Sequence, residues 1–560
     1  MKMQLLFIGI FIGIPVLLSW PLGKAMTWAM NPGKHEAGLR GRFTKLFRTV
    51  CGGFFDKGQD WKRYSLSLLL FNAVMLALVY SIMAAQEYLP LNPDGKGALE
   101  PSLIFNTAAS FTSNTNLQHY SGEVSMSYFT QLFALMWLQF VSAATGIAAL
   151  TALSRGLSGK PDLGNFYRDL LNATFLVLLP VAIIVAVMLT LGGVPMTLGG
   201  SVTAETLEGA AQTIARGPVA AFVAIKQIGT NGGGFFGPNS THPLENPTFF
   251  TNIVECVSIL LIPMACVWMF GRITNRMRHA GVIFVVMTAV LVSTAGLAVY
   301  FETSPTAAFS GLPVESSNNL EGKELRFGSA AGPLWATFTT ATSNGSVNSM
   351  HDSLNPLTGL IPLTGMWLNV TFGGVGVGLI NMFIYIIIGV FISGMMVGRT
   401  PEYLMKKVET GEMKLALLAL LIHPLFILGG TALFAMTSWG ASTVLNPGAH
   451  GFSEILYEFS SAAANNGSGF EGLGDNTAPW NLVTGVFMLL ARYIPIILPL
   501  AIAGSLAAKK AAPETSGTLR TDTPIFGIVL LGTVILVGAL LFLPVAVLGP
   551  IAEHLTTAGM

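Results

Sequence analysis

Ten stretches of the chain are apolar over roughly 20 residues or more and nearly free of charge. They fall at about 4–22, 64–86, 127–154, 166–192, 248–270, 278–301, 366–397, 414–437, 481–507 and 524–549. As helices they match the hydrocarbon core of a bilayer, about 30 Å thick. Helices they must be, because lipid offers no partner for backbone N–H and C=O groups and a helix satisfies them internally. Charged residues make up 10% of the 560, against about a quarter in a soluble globular protein, which excludes a cytosolic enzyme. With 29 basic and 28 acidic residues, a nucleic-acid-binding or disordered chain is excluded too. The three cysteines, Cys51, Cys256 and Cys266, are too few for a disulfide framework and read as small packing residues. The expected fold is an all-α polytopic membrane protein.

Lys2 precedes the first stretch in the manner of a signal peptide. Ser19-Trp20-Pro21-Leu22-Gly23 offers no small-x-small cleavage site, however, so this stretch is read as a retained span. Basic residues set the orientation. Between the first two stretches stand Lys24, Lys34, Arg40, Arg42, Lys45, Arg48, Lys57, Lys62 and Arg63, and alternate connections bring that side to 22. The other side holds six: Lys2, Lys96, Arg216, Lys226, Lys323 and Arg326. By the positive-inside rule the first side is cytoplasmic and both termini face out.

Four of the outside connections are long and share one plan. A short apolar stretch, at 101–111, 217–228, 332–341 and 453–463, leads into a polar run and then into the next span. Such stretches are too short to span but suit re-entrant half-helices. The runs are Phe111-Thr112-Ser113-Asn114-Thr115-Asn116-Leu117-Gln118, Ile228-Gly229-Thr230-Asn231-Gly232-Gly233-Gly234-Phe235, Thr340-Ala341-Thr342-Ser343-Asn344-Gly345-Ser346-Val347 and Ala464-Asn465-Asn466-Gly467-Ser468-Gly469-Phe470. Non-helical backbone at membrane depth persists only where it is buried in protein or lines an aqueous cavity. Glycine accepts positive φ there, and Asn, Ser and Thr carry small oxygen-bearing side chains. Four such runs around a pseudo-fourfold axis would present rings of carbonyl oxygens that replace an alkali ion's hydration shell. Half-helices entering from outside aim their negative C-terminal ends inward, which favours a cation. No carboxylate lies in the runs, so a divalent-selective ring is not expected.

The chain resembles the KdpA family, the potassium-binding subunits of bacterial potassium-transporting P-type ATPases, over essentially its whole length. Besides the four runs, the resemblance is carried by Tyr88-Leu89-Pro90-Leu91-Asn92-Pro93, by Gly229 through Phe236 and by His242-Pro243-Leu244-Glu245-Asn246-Pro247. Glu321-Gly322-Lys323-Glu324, Met350-His351-Asp352-Ser353, Gly398-Arg399-Thr400-Pro401-Glu402-Tyr403-Leu404 and Leu445-Asn446-Pro447-Gly448 add to it. It implies a channel-like fold of the potassium transporter superfamily, in the bacterial inner membrane. Assembly with the ATP-hydrolysing subunit KdpB, with KdpC and with the small KdpF is implied as well. The implied function is selection of extracytoplasmic potassium in the filter and its delivery through an intramembrane tunnel to KdpB.

The potassium-binding residues then expected are Ser113, Asn114, Thr115, Asn116 and Gln118; Thr230, Asn231, Gly232 and Gly233; Ser343, Asn344, Gly345 and Ser346; and Asn465, Asn466, Gly467 and Ser468. The family's filter glycines fall on Gly232, Gly345 and Gly467, while the first run has Asn114-Thr115-Asn116 in place of a glycine. Gln118 matches a glutamine the family associates with potassium affinity. K+, as the transported ion, is the one ligand expected. The expected organisation is a single membrane domain: 1–63 as first span and cytoplasmic loop, pore repeats at 64–154, 166–270, 278–397 and 414–507, and 524–560 as last span and tail. Neither Asp-Lys-Thr-Gly nor a Gly-x4-Gly-Lys-Ser/Thr loop occurs, so energy coupling is expected from a partner.

Other residues read as follows. Pro243 between His242 and Glu245 forbids the helix that would put both on one face, which favours a loop or cap role over a metal site. His119 is expected to point to outside water, and His423 to be a hydrogen-bonded core imidazole. Arg492, alone among the basic residues, lies within a span away from its ends, where a charge is a functional candidate by default. It is expected below the filter as a barrier to cation leak. Gly373-Gly374-Val375-Gly376-Val377-Gly378 is expected to break the seventh span into a gating loop, with Gly374 and Gly376 its key positions. A rival reading is a self-sufficient potassium channel or ion-coupled transporter of the same plan. A membrane enzyme lacks any convergent nucleophile, base or metal set.

Overall fold

The computed structural model describes residues 2–31, 39–52, 57–306, 313, 318–396, 398–511 and 519–558; Lys34 and position 397 lie outside them. Among the described residues, ten helices are long and apolar enough to cross a membrane. They are Phe7–Met30, Trp61–Ala84, Thr130–Leu157, Phe166–Leu191, Phe249–Ile273, Met277–Thr303, Val377–Met396, Thr410–Ala435, Ala478–Ala508 and Pro524–Thr557. The protein is thus a multi-pass, helical membrane protein. The third, fifth and seventh of these are the most enclosed, while the first, second, fourth, eighth and tenth bury about a third of their residues or less and present apolar flanks outward.

The seventh expected span is corrected. In place of one helix over 366–397 there are two, Pro356–Leu368 and Val377–Met396. Between them Asn369, Phe372, Gly373, Gly374 and Gly376 all have positive φ, which no right-handed helix accommodates. The apolar residues at 366–368 therefore finish the preceding helix rather than start the span. Two boundaries also move: the first helix continues to Met30, and the last runs on through a kink at Gly549. The long loops add an antiparallel hairpin, Val202–Glu205 with Ala211–Ile214, that apolar patterning did not reveal.

Four of the short helices between the spans lead into the polar runs: Pro101–Thr112, Val219–Ile228, Ala331–Ala341 and Ala449–Ala464. At about 1.5 Å per residue they reach roughly 15–24 Å, too little to cross. The first starts where Pro101 occupies the first turn and Glu100 accepts a hydrogen bond from Leu103 N at 2.8 Å. The fourth starts after Gly448, whose φ of 75° turns the chain into the protein. Every residue of the third is buried. Span, half-helix, polar run and span recur four times around a central pore.

Candidate functional site

Each half-helix hands over to its polar run through the same device. Thr115 N bonds Ser110 O at 2.9 Å, Asn231 N bonds Lys226 O at 2.9 Å, Asn344 N bonds Thr339 O at 2.7 Å and Asn466 N bonds Ser461 O at 2.9 Å. The preceding residues, Asn114, Thr230, Ser343 and Asn465, have φ of 65°, 46°, 46° and 53°, and each donates to the carbonyl three residues back. This pair of bonds around a left-handed residue is the Schellman helix ending. Two residues further on φ is positive again, at Asn116 (55°), Gly232 (82°), Gly345 (97°) and Gly467 (108°). Alternating hand turns successive peptide groups the same way.

The N–H groups of these strands are held from behind. Gly345 N donates to Thr339 Oγ1 at 2.8 Å and Gly467 N to Ser461 Oγ at 2.9 Å. Asn116 N and Gly232 N reach the carbonyls of Ser110 and Lys226. With the N–H side taken by the half-helices, the carbonyls of Asn116, Gly345 and Gly467 meet no donor among the described residues, whereas those of Thr230, Gly232, Gly233 and Ser346 accept side-chain hydrogen bonds.

The four strands close into a ring. A Cβ on Gly232 would lie 2.0 Å from the carbonyl oxygen of Asn344, one on Gly345 2.2 Å from that of Asn466, and one on Gly467 2.1 Å from that of Thr115. Glycine is therefore required twice over at these positions, by φ and by the neighbour's backbone. Asn116, in the first run, takes the fourth place and packs against Gly233. Side chains lock the ring: Asn114 Nδ2 donates to Thr230 O (2.9 Å), Asn344 Nδ2 to Lys226 O (3.3 Å), Asn466 Nδ2 to Thr339 O (2.9 Å) and Asn465 Nδ2 to Thr115 Oγ1 (2.9 Å). Asn231 Nδ2 reaches Asn114 Oδ1 at 2.7 Å, Ser343 Oγ donates to Asn369 Oδ1 at 2.7 Å, and Ser113 Oγ lies 2.7 Å from Thr115 Oγ1. The side chains of the runs thus brace neighbouring strands.

The outermost of the expected residues are braces as well. Gly233 O accepts from Gln139 Nε2 at 3.3 Å, Ser346 O from the Trp335 indole at 2.8 Å, and Ser468 Oγ lies 2.8 Å from Tyr457 Oη. Gln118 grips the second run by both ends of one residue: Oε1 accepts from Gly234 N at 2.7 Å and Nε2 donates to Gly234 O at 3.0 Å. In Gln118→Arg the acceptor is lost and a charge is placed at a vestibule of about 510 Å³. On the family resemblance, the potassium concentration for half-maximal stimulation of an assembled ATPase should rise about tenfold or more, the equivalent of roughly 1.4 kcal/mol. A wild-type value would refute this role for Gln118.

His119 is corrected: it does not face water. It is 3% exposed, with Nδ1 2.7 Å from Asn481 Oδ1 and Nε2 3.0 Å from Glu458 Oε1. Asn481 spends its amide N–H groups on Ser102 and Asn476, so an acceptor faces each ring nitrogen and the imidazolium form fits. Burial opposes that charge, but the carboxylates of Asp475 and Glu458, with Asn481, outweigh it and lift the pKa from 6.5 to about 9. The folded-state pKa is raised, so the stabilisation is complete below about pH 6.5 and gone above about pH 9. Between those limits the melting temperature should fall in the parent by several degrees more than in His119→Gln. Equal slopes for the two proteins would show that His119 does not carry the proton.

A larger buried polar cluster went unread in the sequence. Lys226, counted there among outside loop cations, is fully buried, and so are Glu245 and Glu255. Its Nζ donates to Asn239 Oδ1 (2.8 Å), Ser240 Oγ (2.6 Å) and Glu245 Oε2 (2.5 Å). His242 takes the expected loop role, accepting from Leu244 N at 3.1 Å and stacking on Phe236. The one advance signal was a lysine in the last turn of a largely apolar half-helix.

Beneath the ring lies a small cavity of about 40 Å³, lined by Asn114, Ser343 and Asn465 above and by Gly373, Gly374, His423 and Arg492 below. His423 Nε2 lies 3.0 Å from Met366 O, as expected of a core imidazole. The interrupted segment 369–376 hangs from the ring: Gly373 N donates to Ala341 O at 2.8 Å and Val375 N to Thr230 Oγ1 at 3.0 Å. Its far side rests on the span Thr130–Leu157, where a Cβ on Gly376 would lie 2.2 Å from Gly146 O. Arg492 is 5% exposed, and among the described residues its Nη2 has no hydrogen-bond partner. Gly374, Gly376 and Arg492 thus converge below the ring.

Four half-helices delivering four strands to one ring, with cavities on both sides and a broken helix beneath, define a channel-like, multi-pass membrane protein with a pseudo-fourfold pore. The potassium transporter TrkH from Vibrio parahaemolyticus has a similar fold, with a TM-score of 0.50 over 88% of this chain and 97% of that one at 13% identity. The chain belongs to the family described as potassium-transporting ATPase A subunit (KdpA), whose model matches residues 9–555. The potassium-transporting ATPase potassium-binding subunit of Geobacillus kaustophilus (strain HTA426) is 50% identical over 548 residues, 97% of each chain.

Proposed function

We propose that this chain is the ion-selecting, non-catalytic subunit of an ATP-driven potassium uptake pump. The observation that carries the reading is the closed ring, in which strand N–H groups are engaged from behind and, among the described residues, the carbonyls of Thr115, Asn116, Asn344, Gly345, Asn466 and Gly467 meet no donor and can face a dehydrated cation. The strands of the ring, Ser113–Asn116, Thr230–Gly233, Ser343–Ser346 and Asn465–Ser468, with Gln118 at its mouth, form the filter. K+ enters from the 510 Å³ vestibule, passes to the 40 Å³ cavity and leaves sideways through an intramembrane tunnel to the ATP-hydrolysing subunit KdpB. KdpC and KdpF complete the complex. Gly374, Gly376 and Arg492 close the direct route to the cytoplasm. In the bacterial inner membrane the face with 22 basic residues is cytoplasmic and both termini are outside. The units 64–154, 166–270, 278–397 and 414–507 are the four pore repeats, flanked by 1–63 and 524–560.

The test is purification of the tagged chain from its native membrane, with ATP hydrolysis measured against potassium and sodium. Copurifying ATPase activity that rises with low potassium and not with sodium supports the pump. The fold likeness to TrkH favours one rival, a self-sufficient transporter or channel. Absence of any ATPase, with potassium flux through the chain alone in liposomes, would replace the pump by that rival.

A further inference from the structure

The second strand differs from the other three in what its outer carbonyl meets. Gly232 O accepts a hydrogen bond from Asn239 Nδ2 at 2.6 Å. Among the described residues no side-chain donor reaches the carbonyls of Asn116, Gly345 or Gly467, the equivalent positions. Asn239 is not free to turn. Its Oδ1 accepts from Lys226 Nζ at 2.8 Å, and its φ of 57° fixes the loop that carries it. Lys226 is anchored in turn by Glu245, which also accepts from Phe236 N at 2.9 Å.

Lys226 acts on the strand at both ends. Its backbone carbonyl receives Asn231 N (2.9 Å) and Gly232 N (3.3 Å), and its side chain, through Asn239, reaches the carbonyl of that same Gly232. A cation on the amide oxygen polarises the amide and strengthens its N–H as a donor, and in a buried site that effect is not diluted by water. A lysine and a glutamate with no exposed surface are costly to bury. A merely structural site would be served by apolar side chains at less cost.

We propose that Lys226 is a positioning residue for ion selection. Through Asn239 it draws the Gly232 carbonyl off the pore axis, so that the outer ring offers a monovalent cation three carbonyls rather than four. A ring with one oxygen withdrawn and pinned cannot adjust its ligand number to a larger ion, which sharpens discrimination between potassium and rubidium. This inference rests on the reading of the four strands as a potassium filter.

Asn239→Asp provides the test, because the carboxylate keeps an acceptor for Lys226 but loses the donor to Gly232 O. In the complete complex, half-maximal concentrations for stimulation of ATP hydrolysis are measured with potassium and with rubidium. The rubidium-to-potassium ratio should fall at least threefold in Asn239→Asp and in Asn239→Ala, with the maximal rate within twofold of the parent. Lys226→Met should lower the ratio too and add nothing in the Asn239→Asp background. Should Lys226→Met not assemble, the two Asn239 variants decide alone. Half-maximal concentrations that move together at constant ratio, or a loss of rate alone, would overturn the inference and leave the filter reading intact. A parent complex indifferent to potassium would instead overturn the filter reading itself.

Discussion

Gly345→Ala, and Gly232→Ala alongside it, should abolish high-affinity potassium stimulation of the assembled ATPase, raising the half-maximal concentration by a hundredfold or more. Left-handed φ at 97° and 82° costs an alanine about 1–2 kcal/mol before any contact is counted. The steric clash costs more. A methyl group at 345 would sit 2.2 Å from the carbonyl oxygen of Asn466, and one at 232 would sit 2.0 Å from that of Asn344. Carbon and oxygen in ordinary contact stand more than 3 Å apart, so the neighbouring carbonyl must retreat by about 1 Å. An oxygen displaced that far no longer replaces water around the ion, and the loss of one good ligand from a preorganised set costs several kcal/mol. Gly281→Ala and Gly296→Ala are the controls, since both are helical and neither Cβ would have a neighbour within 4 Å. The controls should bind as the parent does and melt no lower. If Gly345→Ala kept the parent's half-maximal potassium concentration, the ring would not be the ion's site.

The repeated architecture was legible because its signals are local. Apolar length marked the spans, and Gly448 and Pro101 with Glu100 mark where half-helices begin. Gly232, Gly345 and Gly467 announced left-handed backbone that other residues seldom adopt, with Asn116 the exception in the first run. The left-handed turns two residues earlier were not announced, because they fall on Asn114, Thr230, Ser343 and Asn465. Threonine is β-branched and resists that conformation, and only the Schellman bonds with the packed neighbour strands hold Thr230 there. Local propensity contains no trace of such a restraint.

The buried charges were missed for a different reason. Glu245 and His119 stand in polar parts of the long connections, and Lys226 at the end of a half-helix entering one, where solvent is the default surroundings. What buries them is the return of each connection into the protein, which brings Glu458 to His119 across 339 residues of chain. The seventh span shows the intermediate case: Gly373 through Gly376 predicted a break, but the helix before it, Pro356–Leu368, is apolar enough to have been merged with the span that follows.

The same broken segment gives the second large expected effect. Arg492→Met should convert the subunit into a leak, with rubidium flux into liposomes without ATP rising about tenfold or more over the parent complex. The guanidinium is buried at the floor of the cavity under the ring, and it has the sign that would repel a cation leaving the proposed filter straight ahead. Two unit charges roughly 8 Å apart interact by about 2 kcal/mol at an effective dielectric near 20. A barrier of that height is worth about thirtyfold in rate. Methionine preserves length and packing while removing the charge, so a leak would report the electrostatic barrier. Arg492→Lys should stay tight, because it keeps a cation there. Gly376→Ala separates the steric part: its Cβ would lie 2.2 Å from Gly146 O, so the segment must lift away from the third span while Arg492 stays in place. Leak in both Arg492→Met and Gly376→Ala would mean that charge and loop close the pore together. Leak in Gly376→Ala alone would assign the closure to the loop and remove Arg492 from the barrier.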